Sequence, residues 1–144
     1  MLLNFFILMS MLPFFSLHSE SNIAHANGID IWYETFGTPT DPAYLLITGG
    51  GGCQGILWPT YFCERLAKEG FYVIRYDNRD SGFSTCFDFN TNPYTLSDIA
   101  KDAIGLLDFL RIEKAHVFGL SMGGLVAKIM AAHYPQRIFS ISFT

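Results

Sequence analysis

A serine flanked by glycines is the residue in this sequence whose surroundings most clearly suggest chemistry. The segment GLSMGG, residues 119–124, follows the apolar run AHVF and precedes an amphipathic stretch. In a G-x-S-x-G turn between a strand and a helix, small flanking residues permit a tight, strained bend that exposes the serine Oγ at the start of the helix. Ser121 is therefore a candidate nucleophile for acyl transfer, against the alternative of an ordinary glycine-rich turn.

A second glycine-rich segment, residues 47–55, has two possible uses. Gly50, Gly52 and Gly55 satisfy the G-x-G-x-x-G pattern of dinucleotide-binding folds. In those folds a helix continues directly through the third glycine, and Pro59 would then lie inside that helix at a cost of about 3 kcal/mol. The chain also lacks a Y-x-x-x-K pair. These observations disfavour a phosphate-binding turn.

The other use of the glycine run is to stabilise an oxyanion. A serine nucleophile needs two backbone N–H groups, one from the residue after the serine and one from the loop after a neighbouring strand. Met122 and Gly50 occupy these positions, and glycine lets the loop backbone approach a substrate carbonyl closely. The sequence thus favours an oxyanion hole over a phosphate-binding turn, and such a site needs neither a cofactor nor a metal ion.

The elements around these segments alternate between strand and helix patterns. Alternating apolar and polar residues on both sides of Asn27-Gly28 predict a hairpin. A helix cap is predicted at Thr95 and Asp98, and helix ends are predicted at Gly70 and Pro135. The four-residue spacing of Trp58, Phe62 and Leu66 predicts a buried helical stripe. The expected strands cover residues 43–48, 71–76, 115–119 and 138–143, and the expected helices cover 59–68, 95–110 and 122–133. This order predicts one α/β domain, a mostly parallel sheet flanked by helices and preceded by an antiparallel hairpin.

Composition restricts the function classes further. Half of the 144 residues are hydrophobic and the formal net charge is −4, so no basic surface supports nucleic-acid binding. Three cysteines without C-x-x-C spacing favour neither a disulfide framework nor a metal site. Residues 1–19 are apolar and predict a signal peptide or an apolar anchor rather than a stable membrane span. A signal peptide would imply a secreted or periplasmic protein. Without one, we expect a cytoplasmic or membrane-anchored protein.

Residues 23–144 resemble the α/β-hydrolase superfamily, and most of all its aclacinomycin methylesterase branch. The matching stretches are LLITGG, GILWP, YVIRYDNRDSGFST, NPYTLSDIAKDAIGLLDFLRIEKAHVFGLSMGG and YPQRI. The resemblance implies ester hydrolysis by a Ser, Asp, His triad on a sheet with strand order one, two, four, three, five, six. It matches Ser121 to the nucleophile and Gly50 and Met122 to the oxyanion donors. Asp77 and Arg79 lie in a loop that charge-assisted hydrogen bonds are expected to order.

The resemblance places the triad acid and histidine after residue 144, so we expect residues 20–144 to be a truncated hydrolase domain with little turnover. The last strand would then form an exposed sheet edge. His116 is five strand residues before Ser121, roughly 16 Å away, while His133, His25 and His18 lie elsewhere in the sequence. A non-catalytic remnant or binding module, and less readily an NAD-binding oxidoreductase, are the alternatives. The sequence leaves the oligomeric state open.

Overall fold

A six-stranded sheet forms the centre of the fold in the computed structural model, which describes residues 20–144. The strands are β1 (Glu20–Ala26), β2 (Ile29–Phe36), β3 (Ala43–Ile47), β4 (Tyr72–Tyr76), β5 (Ala115–Gly119) and β6 (Ile138–Phe143). Their order across the sheet is β1-β2-β4-β3-β5-β6, as the resemblance implied. β1 and β2 form an antiparallel hairpin, β2 also pairs antiparallel with β4, and the remaining pairs are parallel. The predicted signal peptide or anchor lies outside the described residues.

Three helices cover the two faces of the sheet. They are α1 (Thr60–Lys68), α2 (Leu96–Phe109) and α3 (Met122–His133), with short 3-10 turns at Gly55–Leu57 and Pro135–Arg137. Alternate residues of the buried strands point to opposite faces, so Leu45 and Ile47 pack towards α2 and α3 whereas Leu46 packs towards α1. Within residues 20–144, no helix is both long and apolar enough to cross a membrane.

Helix α1 differs from its prediction in its first residue and in one further buried residue. Pro59 has extended φ and ψ of −61° and 145° and precedes the first helical residue, Thr60. Trp58 is buried but lies before the helix, while Phe62 and Leu66 are only half-buried and Cys63 is the buried helical residue. Trp58, Phe62 and Leu66 nevertheless pack on one apolar cluster together with Cys63, so the predicted stripe is confirmed and includes one further residue. Burial raises the pKa of the Cys63 thiol to about 11, so this cysteine is a protonated packing group.

Helix α2 begins at the capping box that the sequence predicts. The Asp98 carboxylate accepts hydrogen bonds from the Thr95 backbone N–H at 2.9 Å and from the Thr95 hydroxyl at 2.8 Å. These bonds, the backbone one first, lower the pKa of Asp98. The apolar face of α2 packs on the sheet: Leu110 is half-buried at the helix end, and the buried residues are Ile99, Ala103, Leu106 and Leu107.

Replacing Asp98 with alanine should destabilise the protein by about 1 kcal/mol, because a backbone N–H of the cap loses its partner. Since the pKa of Asp98 is lowered on folding, its contribution is present at neutral pH and is lost as the pH falls through the acid range. Urea unfolding at pH 7 and at pH 3 measures both effects. Equal differences between wild type and Asp98→Ala at the two pH values would contradict this account.

Strand β6 lies at one edge of the sheet, as the sequence predicts. It pairs in parallel with β5 through residues such as Val117 and Ile141. The side chains of Phe139 and Phe143 are 57% and 50% exposed, although Lys128 lies over the Phe143 ring at 4.1 Å. Within residues 20–144, β6 therefore has a neighbouring strand on one side only.

Candidate active site

Ser121 lies at a sharp bend between β5 and α3. Its φ of 52° and ψ of −116° are values that a non-glycine residue rarely adopts, and its side chain is exposed. The flanking glycines are needed sterically. A Cβ on Gly119 would lie 2.2 Å from the carbonyl oxygen of Gly123, and one on Gly123 would lie 2.5 Å from that of Ile47. Strained backbone of this kind concentrates at functional sites.

The glycine loop at residues 49–52 lies beside this serine. A Cβ added to Gly49 would be 3.7 Å from the Ser121 Cβ, and one added to Gly50 would be 3.2 Å from the Met122 Sδ. About seventy residues separate the glycine loop from Ser121, which is farther than any local sequence pattern spans. Parallel pairing of β3 with β5 brings the two segments together. The structure therefore places all three candidate site residues, Ser121, Gly50 and Met122, in one cluster.

The backbone amides around Ser121 divide into paired and unpaired groups. The N–H of Ser121 donates to the Thr144 carbonyl at 2.7 Å, and those of Gly123 and Gly124 donate to carbonyls of the same turn. Within the described chain, the N–H groups of Gly50 and Met122 have no recorded acceptor. The Met122 amide is also a first-turn helix donor, which has no partner inside the helix. Two amides of the cluster are thus available to an external oxygen atom.

A cavity of about 350 Å³ opens beside the glycine loop at the carboxyl ends of the parallel strands. Its lining comes from residues 49–52, 78–81 and 94–96 with Ile99 and Met122. A larger concavity of about 590 Å³ lies at the opposite end of the sheet, around the starts of β3, β4 and β6. It is remote from Ser121, so the smaller cavity is the one relevant to serine chemistry.

Asp77 orders the end of the glycine segment. Its carboxylate is buried and accepts hydrogen bonds from the backbone N–H of Gly55 at 2.6 Å and of Phe83 at 3.0 Å. Gly55 itself packs on β4, because a Cβ there would lie 2.8 Å from the Tyr76 carbonyl oxygen. Close packing against a strand accounts for this glycine without any phosphate group. These contacts agree with a structural role for Asp77.

Arg79 is ordered by a different partner from the one nearest in sequence. It does not pair with Asp77 but donates two hydrogen bonds, of 2.6 and 2.7 Å, to the buried carboxylate of Asp102 on α2. Those bonds raise the pKa of Arg79. The guanidinium also lies over the rings of Phe87 and Tyr94. This buried pair anchors the loop after β4 to α2 and supports one wall of the cavity.

Asp102 was not singled out by the sequence analysis. It also accepts a hydrogen bond from Asn27 Nδ2 at 2.7 Å, so it connects the hairpin turn, α2 and the loop that carries Arg79. A charged residue three positions after Ile99, on the apolar face of a helix, is the available sequence signal.

Burial, and next the hydrogen bond to Asp80, raise the pKa of Tyr94 to about 12, which keeps this cavity-lining phenol neutral.

The histidines of the described chain lie away from the serine cluster. His25 contacts Asp30 at 2.8 Å in the hairpin, and His116 contacts Ser140 of β6 at 2.8 Å. His133 is exposed at the last residue of α3. Residues 20–144 contain no group of three or more His, Cys, Asp or Glu side chains placed to hold a metal ion.

The sheet order and the site geometry are those of a hydrolase fold, and comparison with known proteins gives the same answer. The family model for the alpha/beta hydrolase fold matches residues 42–143, and the chain belongs to this family. This assignment supports the hydrolase interpretation of the glycine run over the dinucleotide-binding one.

Individual relatives are esterases and other hydrolases by name. Rhodomycin D methylesterase DauP of Streptomyces sp. (strain C5) is 40% identical over 114 residues, covering 79% of this chain and 38% of that protein. The 3-oxoadipate enol-lactonase 2 of Acinetobacter baylyi is 34% identical over 115 residues, covering 78% of this chain and 40% of that protein. Epoxide hydrolase A from Mycobacterium thermoresistibile superposes with a TM-score of 0.81 at 25% identity, over 88% of this chain and 39% of that one. The chain thus spans about two-fifths of the length of these relatives.

Proposed function

We propose that this chain carries the nucleophile and oxyanion-binding half of a serine ester hydrolase. Ser121 is the nucleophile, and the backbone N–H groups of Gly50 and Met122 bind the oxyanion of the tetrahedral intermediate. The observation that carries the proposal is the pairing of an exposed, strained serine with two unpaired amides beside it. Small-molecule carboxylic esters are the proposed substrate class, and the names of the methylesterase and lactonase relatives support it.

The reaction begins with attack of the Ser121 Oγ on the carbonyl carbon of the ester. Negative charge then develops on the carbonyl oxygen, and two N–H donors fixed in advance stabilise it without reorganising. Collapse of the intermediate expels the alcohol and leaves an acyl group on Ser121, which water then removes. Both steps need a general base near the serine to take up and return a proton.

None of the histidines in residues 20–144 is proposed as that base. His25 and His116 are bonded to Asp30 and Ser140, and His133 lies at the far end of α3, roughly 18 Å along a twelve-residue helix. A serine without its base retains only the contribution of the oxyanion hole and of substrate binding. We therefore infer that the 144-residue polypeptide turns over esters slowly and that a base from outside residues 20–144 completes the site.

A fluorophosphonate probe tests both parts of this proposal. We expect slow covalent labelling of the 144-residue chain that peptide mass mapping assigns to Ser121 and that Ser121→Ala abolishes. Ser97→Ala, in the first turn of α2, is the matched control and should label as wild type does.

The possible outcomes separate the alternatives. Labelling that persists in Ser121→Ala would remove Ser121 as nucleophile, and rapid labelling at the rate of complete serine hydrolases would contradict the missing base. Complete failure to label Ser121 during prolonged incubation would instead favour a binding module that retains the fold without its chemistry.

A further inference from the structure

The glycine loop is held by side chains rather than by its own backbone. Residues 49–52 are four consecutive glycines, and Gly51 and Gly52 have positive φ values of 68° and 75°. Gly51 and Gly52 form a turn, but within residues 20–144 no well-aligned backbone hydrogen bond fixes the four glycines. Glycine has the largest conformational freedom of any residue, so such a loop needs an external restraint to keep one shape.

Thr48 supplies a bond across the loop. Its hydroxyl donates to the carbonyl oxygen of Cys53 at 3.1 Å, which joins the residue before the four glycines to the residue after them. Asn78, in the loop after β4, donates from its Nδ2 to the same hydroxyl oxygen at 3.2 Å. Thr48 is 0% exposed and Asn78 is 3% exposed, so the hydrogen bond between these two side chains is shielded from water.

The direction of this chain of hydrogen bonds follows from proton counting. A carbonyl oxygen can only accept, so the single hydroxyl proton of Thr48 goes to Cys53. Asn78 must then present its amide NH₂ group to Thr48 and not its oxygen. Thr48 also lies under the nucleophile turn, since a Cβ on Gly123 would be 2.6 Å from the Thr48 carbonyl oxygen. One residue therefore contacts both the glycine loop and the turn that carries Ser121.

We propose that Thr48 is a positioning residue whose hydroxyl, oriented by Asn78, holds the glycine loop in the shape that presents the Gly50 N–H to the oxyanion. This inference rests on the proposed function of Gly50. Each bond is worth only about 1 kcal/mol, but the loop has no well-aligned backbone hydrogen bond that could take its place. Loss of an oxyanion donor in hydrolases costs on the order of 10² to 10³ in rate, so partial disorder of Gly50 should cost about tenfold.

Thr48→Val tests the proposal because it removes the hydroxyl and keeps the shape of the side chain. Thr48→Ser restores the hydroxyl without the methyl group, and Thr40→Val is the control at an exposed threonine. Two quantities are measured on the full chain: backbone ¹⁵N order parameters of Gly50, Gly51 and Gly52, and the rate and affinity of fluorophosphonate labelling of Ser121. Near-UV circular dichroism confirms that each variant is folded.

In Thr48→Val we expect the order parameters to fall from about 0.85 to below about 0.6. We expect the labelling rate to fall about tenfold while the affinity for the probe stays within twofold. Thr48→Ser should recover both quantities, and Thr40→Val should change neither. Unchanged order parameters in Thr48→Val, or a Thr48→Ser variant as impaired as Thr48→Val, would overturn the proposal.

Two further outcomes distinguish this inference from the proposed function. A loosened loop with an unchanged labelling rate would show that the Thr48 bond is structural only, which overturns the positioning role while Ser121 keeps its own. If wild-type Ser121 is not labelled at all, the nucleophile proposal and the positioning role that rests on it both fail, and the order parameters then report only whether Thr48 restrains the loop.

Discussion

Replacing Gly123 with alanine should destabilise the protein by about 3 kcal/mol or more. The added Cβ would lie 2.5 Å from the Ile47 carbonyl oxygen and 2.6 Å from that of Thr48. Both obstacles are backbone atoms at the end of a central strand, so neither can rotate away as a side chain would. The clash can be relieved only if α3 moves away from β3, and this movement opens a packed core. Substitutions that disrupt core packing are among the most destabilising single changes.

Urea unfolding of Gly123→Ala measures this cost, and Gly105→Ala provides the matched control. Gly105 lies inside α2, and a Cβ there has nothing closer than 3.4 Å. Alanine favours a helix interior over glycine by about 1 kcal/mol, so this control should be neutral or slightly stabilising. Similar midpoints for Gly123→Ala and wild type would show that the turn between β5 and α3 is less tightly packed than the geometry indicates.

Replacing Asp102 with alanine is expected to cost about 3 to 5 kcal/mol, the usual penalty for breaking a buried ion pair on one side. The Arg79 side chain is 9% exposed, so it would keep a positive charge without its partner. Asn27 would lose its acceptor as well. The free energy of unfolding from urea titration measures the loss, and the cavity wall formed by residues 78–81 should show faster hydrogen exchange.

Asp108→Ala is the control for that experiment. Asp108 lies on the same helix and pairs with Arg137 at 2.7 Å, but its side chain is 60% exposed. Exposed pairs contribute about 0 to 1 kcal/mol, so the control should change stability little. The double variant Arg79→Met with Asp102→Leu should recover much of the loss, because it removes both charges together. A double variant no more stable than Asp102→Ala would contradict the ion-pair explanation.

The parts of the site that sequence analysis found are those encoded by local signals. The apolar strand, the small residues around Ser121 and Pro135 define α3 over Met122–His133, which is the range expected. Asn27-Gly28 likewise defines the hairpin between β1 and β2. These features depend on backbone sterics within a few residues, so residue type alone determines them. The strand order came from resemblance, since no local pattern specifies which strands are neighbours.

The parts that sequence analysis missed are contacts between distant segments. Arg79 lies two residues from Asp77 in sequence, yet its partner is Asp102, 23 residues away on a helix. The bond from Thr48 to Cys53 depends on the shape of four glycines whose dihedral angles no pattern fixes. On α1, the stripe of Trp58, Phe62 and Leu66 packs as expected, but the sequence did not indicate that Cys63 joins it as the fully buried residue of the helix. Which side chains form a hydrogen bond, and which residue of a helix is fully buried, depend on tertiary packing.

The hydrogen bond from the Ser121 amide to Thr144 has a consequence for how the backbone at Ser121 responds to heating. Thr144 follows β6, and its own N–H donates to Gly119 on the other side of the same bend. Edge segments with exposed apolar side chains open at lower free energy than a protein as a whole. Local unfolding of β6 and Thr144 would remove the hydrogen bonds that hold the backbone at Ser121, while the other five strands stay folded. The proposed labelling of Ser121 should therefore disappear at a lower temperature than secondary structure does.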